Sequence, residues 1–157
     1  MTLSLDHHDH AQCTADILSR AEQTCASRGA RLTEQRREVL SCVAQSHAAV
    51  GAYDIIERMA DHGPRPAPIT VYRALDFLEA HGLVHKVESR NAFVACSRPH
   101  QGMPAALLVC ENCGLVAELD EPSAFAALET AARARGFRVR RSVIELSGIC
   151  GTCGRGM

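Results

Sequence analysis

Two cysteine pairs raise the first chemical question. Cys110-x-x-Cys113 and Cys150-x-x-Cys153 each bring two sulfurs onto one tight turn, with Gly114, Gly148, Gly151 and Gly154 beside them to let the backbone bend. Four thiolates are the closed tetrahedral set of a structural zinc ion. The 36 residues between the pairs are more than a typical zinc ribbon has, so an ion here would pin a helix and strands rather than a loop. The competing chemistry is thiol redox, as in thioredoxin-like motifs. Neither pair is expected at the start of a helix after a buried strand, which disfavours it.

A second set of candidate ligands is scattered. His85 and Cys96 fall on opposite arms of an expected β-hairpin, His100 in the link after it, and Glu118 on a strand five residues beyond Cys113. Two imidazoles, one thiolate and one carboxylate make a complete tetrahedral zinc set, neutral once filled and more exchangeable than four thiolates. The single soft sulfur favours zinc over iron or manganese. Each residue also has a plainer reading: a strand histidine is commonly a polar edge residue, and Cys96 is small enough to pack as a buried hydrophobe.

These groups need elements to position them. Ala11–Ser27 carries a helical stripe of Ile17, Leu18 and Ala21 and ends at Gly29. RLTEQRREVLSCVAQS reads as a second helix with Thr33 as N-cap, and AYDIIERMADHG as a third. The proline-rich PRPAPI excludes helix until Ile69, where Thr70 caps TVYRALDFLEAHG. That helix buries Val71, Leu75 and Leu78 and turns Tyr72, Arg73 and Asp76 outward. LVHKVE and AFVAC form the hairpin around the turn SRN. Helices followed by a hairpin are the order of a winged helix. Beyond CSRPHQGMPA, ALLVC and LVAELD are strands, SAFAALETAARARG a helix and FRVRRSVIEL a strand. The fold class is therefore α+β: a flexible tail over 1–10, a winged helix over 11–96, a hinge over 97–104 and a small α/β domain over 105–157.

Composition bounds the rest. The chain has 157 residues, 46% of them hydrophobic but only 4% aromatic, with no tryptophan. Such thin cores profit from a metal staple and a partner chain. No apolar run spans a bilayer, and MTLSLDHHDH lacks the features of a signal peptide, so a cytoplasmic protein with no membrane partner is expected. Eight cysteines in that setting indicate metal or redox chemistry rather than disulfides. Cys13, Cys25 and Cys42 read as small core residues. The cluster His7, His8 and His10 reads as solvated tail. A net charge of −1 gives no general case for nucleic acid, and residues 1–96 carry ten Lys/Arg against twelve Asp/Glu. DNA binding must rest on a local face. Arg28, Arg31, Arg36 and Arg37 share a ten-residue window opposed only by Glu34.

The strings RLTEQRREVL, AYDII and PITVYRALDFLEAHGLVHKVES, followed by the paired cysteine motifs, resemble the ferric uptake regulator superfamily, and within it the zinc uptake regulators. The resemblance runs from about Ala11 to Cys153. It implies a homodimeric, zinc-responsive repressor of zinc uptake genes that binds a palindromic operator in double-stranded DNA. It implies two zinc ions per chain, a structural one on Cys110, Cys113, Cys150 and Cys153 and a regulatory one on His85, Cys96, His100 and Glu118. Iron-sensing relatives carry a histidine-rich segment before the first cysteine pair, whereas SRPHQGMPAALLV holds only His100, which argues against iron or peroxide sensing.

Arg73, on the exposed first turn of the helix expected to read DNA, suits bidentate contact with guanine. The resemblance adds base contact by Tyr53. Thr70, Tyr72 and Arg36 are candidates for phosphates, which orient without specifying sequence. The plain alternative is that Tyr72 and Arg73 form a solvated helix face. Other sensors of the superfamily, a zinc hydrolase, a thiol oxidoreductase and a protein-docking dimer are the rival classes. A zinc deaminase would need H-x-E and P-C-x-x-C, but Glu88 lies three residues after His85 and Val109 precedes Cys110. No enzymatic activity and no small-molecule substrate are expected.

Overall fold

The computed structural model describes residues 10–98 and 104–154. His100, most of the expected hinge, and the side chains of His7, His8 and His10 lie outside the described residues. Four helices open the chain: α1 (His10–Ser27), α2 (Glu34–Ala44), α3 (Ala52–Ala60) and α4 (Pro68–Ala80). Val39, Leu40, Val43, Ile55, Ile56, Val71, Leu75 and Leu78 interlock there, each essentially inaccessible to water. Thr33 caps α2 as expected, its hydroxyl accepting from the Arg36 amide at 3.3 Å. Positive φ at Gly29 and Gly82 lets the chain turn off α1 and α4.

One boundary differs from expectation. Helix α4 begins at Pro68 with Ala67 as N-cap, not with Thr70 capping from outside. Proline tolerates the first helical position because that amide needs no intrahelical partner and its φ is already helical. Thr70 lies inside the first turn, its N–H bonded to the Ala67 carbonyl at 3.0 Å.

The hairpin pairs β1 (Val84–Val87) with β2 (Ala92–Ala95), placing His85 opposite Val94. A 3₁₀ turn, Glu88–Arg90, closes it, and Asn91 takes the left-handed conformation (φ 46°) that its short polar side chain tolerates.

The second half holds β3 (Ala106–Cys110), β4 (Val116–Leu119), α5 (Pro122–Ala134), β5 (Ile144–Gly148) and a single helical turn, α6 (Gly151–Gly154). The sheet order is β4-β3-β5, antiparallel between β3 and β4 and parallel between β3 and β5, with α5 as the crossover. The expected strand over FRVRRSVIEL is shortened to its last residues. Pairing starts at Ile144 opposite Ala106, where β3 itself starts, so the residues before it have no strand to join. Arg141 instead leaves the sheet to reach Glu79 and Glu88, at 3.1 and 3.0 Å.

The halves share a small core. Val87 and Val94 of the hairpin pack with Leu107, Val109 and Val116 of the second half. The Val116 amide donates to the His47 carbonyl at 3.0 Å, and Arg90 donates to the Cys110 carbonyl at 3.1 Å.

Candidate metal centres and nucleic-acid face

The cysteine pairs converge because β3 and β5 run parallel side by side. Cys110 ends β3 and is paired in register with Gly148, so Cys150 arrives beside it. Gly114, with φ +73°, turns the chain back after Cys113. All four sulfurs lie within 4.8 Å of one another. Cys113 Sγ and Cys150 Sγ are 3.8 Å apart, which matches the tetrahedron edge of about 3.8 Å that follows from Zn–S bonds of about 2.3 Å. Backbone amides face the sulfurs: Cys150 N–H donates to Cys110 Sγ at 3.3 Å, and Cys153 N–H to Cys150 Sγ at 3.5 Å.

The amide donors of Cys113 and Cys150 pull the Cys110 thiol down to about 6, and that of Cys153 lowers Cys150. Hydrogen bonds to the sulfurs of Cys150 and Cys113 push Cys153 up to about 12. The first thiolate forms readily and the last only when a cation offsets its neighbours. This donor set fits zinc. The second pair does open a helix, α6, contrary to expectation. That helix is one turn long and β5 before it is largely exposed, so the setting still lacks the buried strand of a redox motif.

His85 and Cys96 meet for a reason of register. Cys96 lies two residues beyond Val94, the partner of His85, and so shares its face of the hairpin as a diagonal neighbour. Glu118, on β4 opposite Leu107, faces them from the second half. The ligand atoms of the three lie within 4.8 Å of one another. His85 Nε2 is 3.6 Å from Glu118 Oε1, and Cys96 Sγ is 3.8 Å from Glu118 Oε2. Both are close to the separation of about 3.5 Å expected of ligands on one zinc ion. The Ser97 amide donates to Glu118 Oε1 at 2.6 Å. Burial works against a charged His85, but hydrogen bonds with Cys96 and then Glu118, and the charge of both, outweigh it and push His85 up to about 9. A proton on this imidazole occupies the place that a dication would take. The three residues fit zinc; His100, the fourth expected ligand, lies outside the described residues.

Two positioning groups escaped sequence reasoning. Arg20 on α1 donates to the Ser97 carbonyl at 2.7 Å and to the Cys96 carbonyl at 3.3 Å, anchoring the backbone at that ligand. Glu145 on β5 accepts from the Glu88 and Ser89 amides at 2.5 and 3.1 Å, bracing the hairpin turn. Both act on backbone groups more than 50 residues away, which leaves no side-chain pattern to find.

The candidate DNA residues divide. Tyr53 on α3 is 66% exposed, Tyr72 is 37% exposed, and Arg73 beside it is exposed, as the stripe of Val71, Ala74, Leu75 and Leu78 requires. Thr70 is partly covered. Arg36 is committed within the fold: its guanidinium lies 3.6 Å over the Phe77 ring and donates to the Arg31 carbonyl at 2.7 Å. Cys25 and Cys42 are buried core residues, their thiols raised by burial.

Comparison with known proteins identifies the family and the fold. Residues 27–147 match the ferric uptake regulator family. The zinc uptake regulation protein of Escherichia coli is 41% identical over 141 residues, 89% of this chain and 82% of the relative. Among solved structures, a zinc uptake regulator complexed with zinc and DNA superposes with a TM-score of 0.86 at 40% identity, covering 91% of this chain and 96% of that one. Holo XcZur gives 0.83 at 38% identity, covering 89% and 98%. Apo XcZur gives only 0.53 at 37% identity, covering 91% and 99%. In the described residues no helix is long and apolar enough to cross a membrane. The N-terminal helices and hairpin form a winged helix, and this chain belongs to the ferric uptake regulator family.

Proposed function

We propose that this chain is a zinc-responsive, homodimeric transcriptional repressor that binds a palindromic operator in duplex DNA and controls zinc uptake genes. Residues 11–96 form the DNA-binding head, 97–104 the hinge and 105–157 the dimerisation domain. Each chain takes two zinc ions, a structural one on Cys110, Cys113, Cys150 and Cys153 and a regulatory one on His85, Cys96, His100 and Glu118. The protein is not an enzyme: both ligand sets are supplied by protein side chains, whereas a catalytic zinc keeps an open position.

The observation that carries this reading is the convergence of His85 and Cys96, on the hairpin of the head, with Glu118, on β4 of the other half. Bound there, zinc would supply a cross-link between the two halves. His85 and Cys96 hold the hairpin, Glu118 holds the sheet, and the Arg20 contacts keep Cys96 at a fixed height. Two heads so fixed in a dimer present their α4 helices at one separation, as two successive major grooves demand. A swing in the competent population from 1:99 to 99:1 requires about 5.5 kcal/mol of differential binding. Operator DNA should by reciprocity tighten zinc at this set by the same factor. The closer superposition on holo than on apo XcZur supports a closed, metal-compatible arrangement in this fold.

Dimerisation is supported by what the second half leaves uncovered. Leu119, Leu128, Phe137, Val143, Leu146 and Ile149 are all exposed, and α5 buries only Phe125. A contiguous partner surface is the ordinary remedy for such a face. On the DNA side, Arg73 and Tyr53 reach base edges, and Thr70 and Tyr72 reach phosphates. Arg36 contributes a phosphate contact only by releasing Phe77, so it is the weakest member.

Zinc per chain before and after mild chelation tests the reading, in wild type and in Cys96→Ser, followed by operator binding at buffered free zinc. Two ions, one removable and missing from the variant, with DNA binding that follows the removable one, are expected. One tightly held ion in both proteins, or DNA binding indifferent to it, would overturn the sensing mechanism.

A further inference from the structure

The described residues of the head expose three large hydrophobic side chains: Tyr53, Ile69 and Tyr72. Every other exposed one among the described residues falls between Leu119 and Ile149, in the second half. The two tyrosines carry hydroxyls for which water is a good partner. Ile69 has none, yet it is 59% exposed. It is β-branched, a poor choice for a solvated helix position on propensity alone. A lone exposed aliphatic is ordinary on a protein surface. The place of this one is specific: it sits on the leading turn of α4, one residue after Pro68.

Helical geometry fixes its neighbours. Ile69 and Arg73 are four residues apart and share a face, with Tyr72 between them, while Val71, Ala74, Leu75 and Leu78 occupy the buried face. Ala67, the N-cap, makes no side-chain hydrogen bond, and neither its methyl group nor the ring of Pro68 offers a polar group beside Ile69. In a helix-turn-helix head it is the N-terminal residues of the recognition helix that meet base edges. The major groove offers hydrogen-bonding groups at every base pair but a single apolar one, the 5-methyl group of thymine.

We propose that Ile69 is a specificity-determining residue that reads the 5-methyl group of a thymine in each operator half-site. The inference rests on the functional reading above and refines its DNA face. Four residues of α-helix rise about 6 Å, close to two base-pair steps of about 3.4 Å. The thymine therefore lies within about two base pairs of the guanine read by Arg73, on the side towards the helix N-terminus. Arg73 supplies the hydrogen bonds of the readout and Ile69 the apolar discrimination.

The test uses the full-length, zinc-loaded protein and a duplex it selects from a randomised pool. Each thymine of the half-site is replaced in turn by deoxyuridine, which removes the methyl group and leaves every hydrogen-bonding atom in place. At one symmetry-related thymine, wild-type affinity should fall about fourfold per half-site, the factor expected for one buried methyl. Ile69→Ala should bind the thymine duplex with a comparable loss and be indifferent to deoxyuridine there. Ile69→Val, which keeps a branched apolar surface, should retain discrimination. Wild type indifferent to every such replacement, or Ile69→Ala responding as wild type does, would overturn the proposal. The wild-type series does not depend on how any variant folds. A protein that enriches no zinc-dependent duplex overturns the functional reading and this inference together. One that enriches such a duplex but ignores its thymine methyls overturns this inference alone.

Discussion

Cys110, Cys113, Cys150 and Cys153 come from one half of the chain, at the ends of two strands already paired in register. His85 and Cys96 come from the hairpin of the head and Glu118 from the sheet of the other half. An ion in the first set ties neighbouring strands of one half to each other, so it holds that half's fold and has little to report. An ion in the second joins two bodies whose other contacts, among the described residues, include a shared core of five buried residues, the Ala48–Leu115 bridge, the Arg90 and Ser97 hydrogen bonds and the Glu145 and Arg141 brackets. The softness of the ligands follows the same division. Four thiolates favour tighter binding of zinc than imidazole, carboxylate and one thiolate do, a set from which an ion exchanges more readily. Anchorage, more than ligand type, separates a staple from a sensor.

The comparison breaks most visibly at the staple. Among the described residues the second half buries only Ala106, Leu107, Val109, Cys110, Val116 and Phe125. Structural zinc contributes about 10–16 kcal/mol to small zinc-finger peptides, more than such a core can replace. Cys110→Ser with Cys113→Ser should leave residues 104–154 without amide-exchange protection while the helices of the head still unfold cooperatively. Protection surviving in that double variant would show the cysteine set to be dispensable.

Cys96→Ser should spare the fold and erase the response. If the competent population falls from 99% to 1%, the apparent operator affinity drops about 100-fold at saturating zinc. Titration of labelled operator at buffered free zinc measures it. A variant that still responds to zinc with wild-type amplitude would place the sensing ligands elsewhere.

Much of this architecture was legible in the sequence because its signals are local. The stripe Val71, Leu75 and Leu78, the cap at Thr33 and the turn at Ser89–Asn91 each depend on neighbours within a few residues, and all formed as read. The convergence of the cysteines was legible from their matched spacing, although the parallel pairing that produces it was not. The start of α4 departs from expectation because proline, a breaker inside a helix, is suited to the first helical position. No strand forms over 137–143 despite the alternation, which speaks only of faces. Whether a strand forms depends on a partner, and β3 begins too late to supply one. The candidate sensing residues were legible as a set by donor type and family resemblance, but their convergence was not, since contacts between the two halves fix Glu118 beside Cys96.

Proton competition sharpens the contrast more gently. In the metal-free protein His85 is held up to about 9 by Cys96 and Glu118. Its charge therefore stabilises the metal-free fold fully below about 6.5, its ordinary value, and that contribution is lost as pH rises through about 9. Zinc requires the neutral imidazole, so binding at this set displaces the proton and weakens as pH falls. Between pH 8 and 7 the zinc affinity of the exchangeable site should drop up to about tenfold through His85 alone. Competition with a chelator of known pH dependence reads it. An affinity constant across that interval would mean that His85 does not ligate.

The smallest expected effect probes the support that zinc does not provide. Glu145 binds the hairpin turn through two backbone amides, and Arg141 joins the same turn at Glu88 and the end of α4 at Glu79. Both groups act on the hairpin turn and the end of α4, so they bias the closed arrangement without supplying a ligand. Removing the Glu145 carboxylate leaves the two amides to water, at a cost of about 1 kcal/mol because the turn is exposed. Glu145→Ala should therefore lower operator affinity about fivefold at saturating zinc, with zinc stoichiometry unchanged. Zinc affinity at the exchangeable site should fall by a similar factor, because the same closed arrangement brings Glu118 to Cys96 and His85. If DNA affinity falls while zinc affinity does not, the bracket serves the hairpin alone. If both fall together, head orientation and ligand assembly are one equilibrium, and the sensing set reports on a closure that the protein already favours in part.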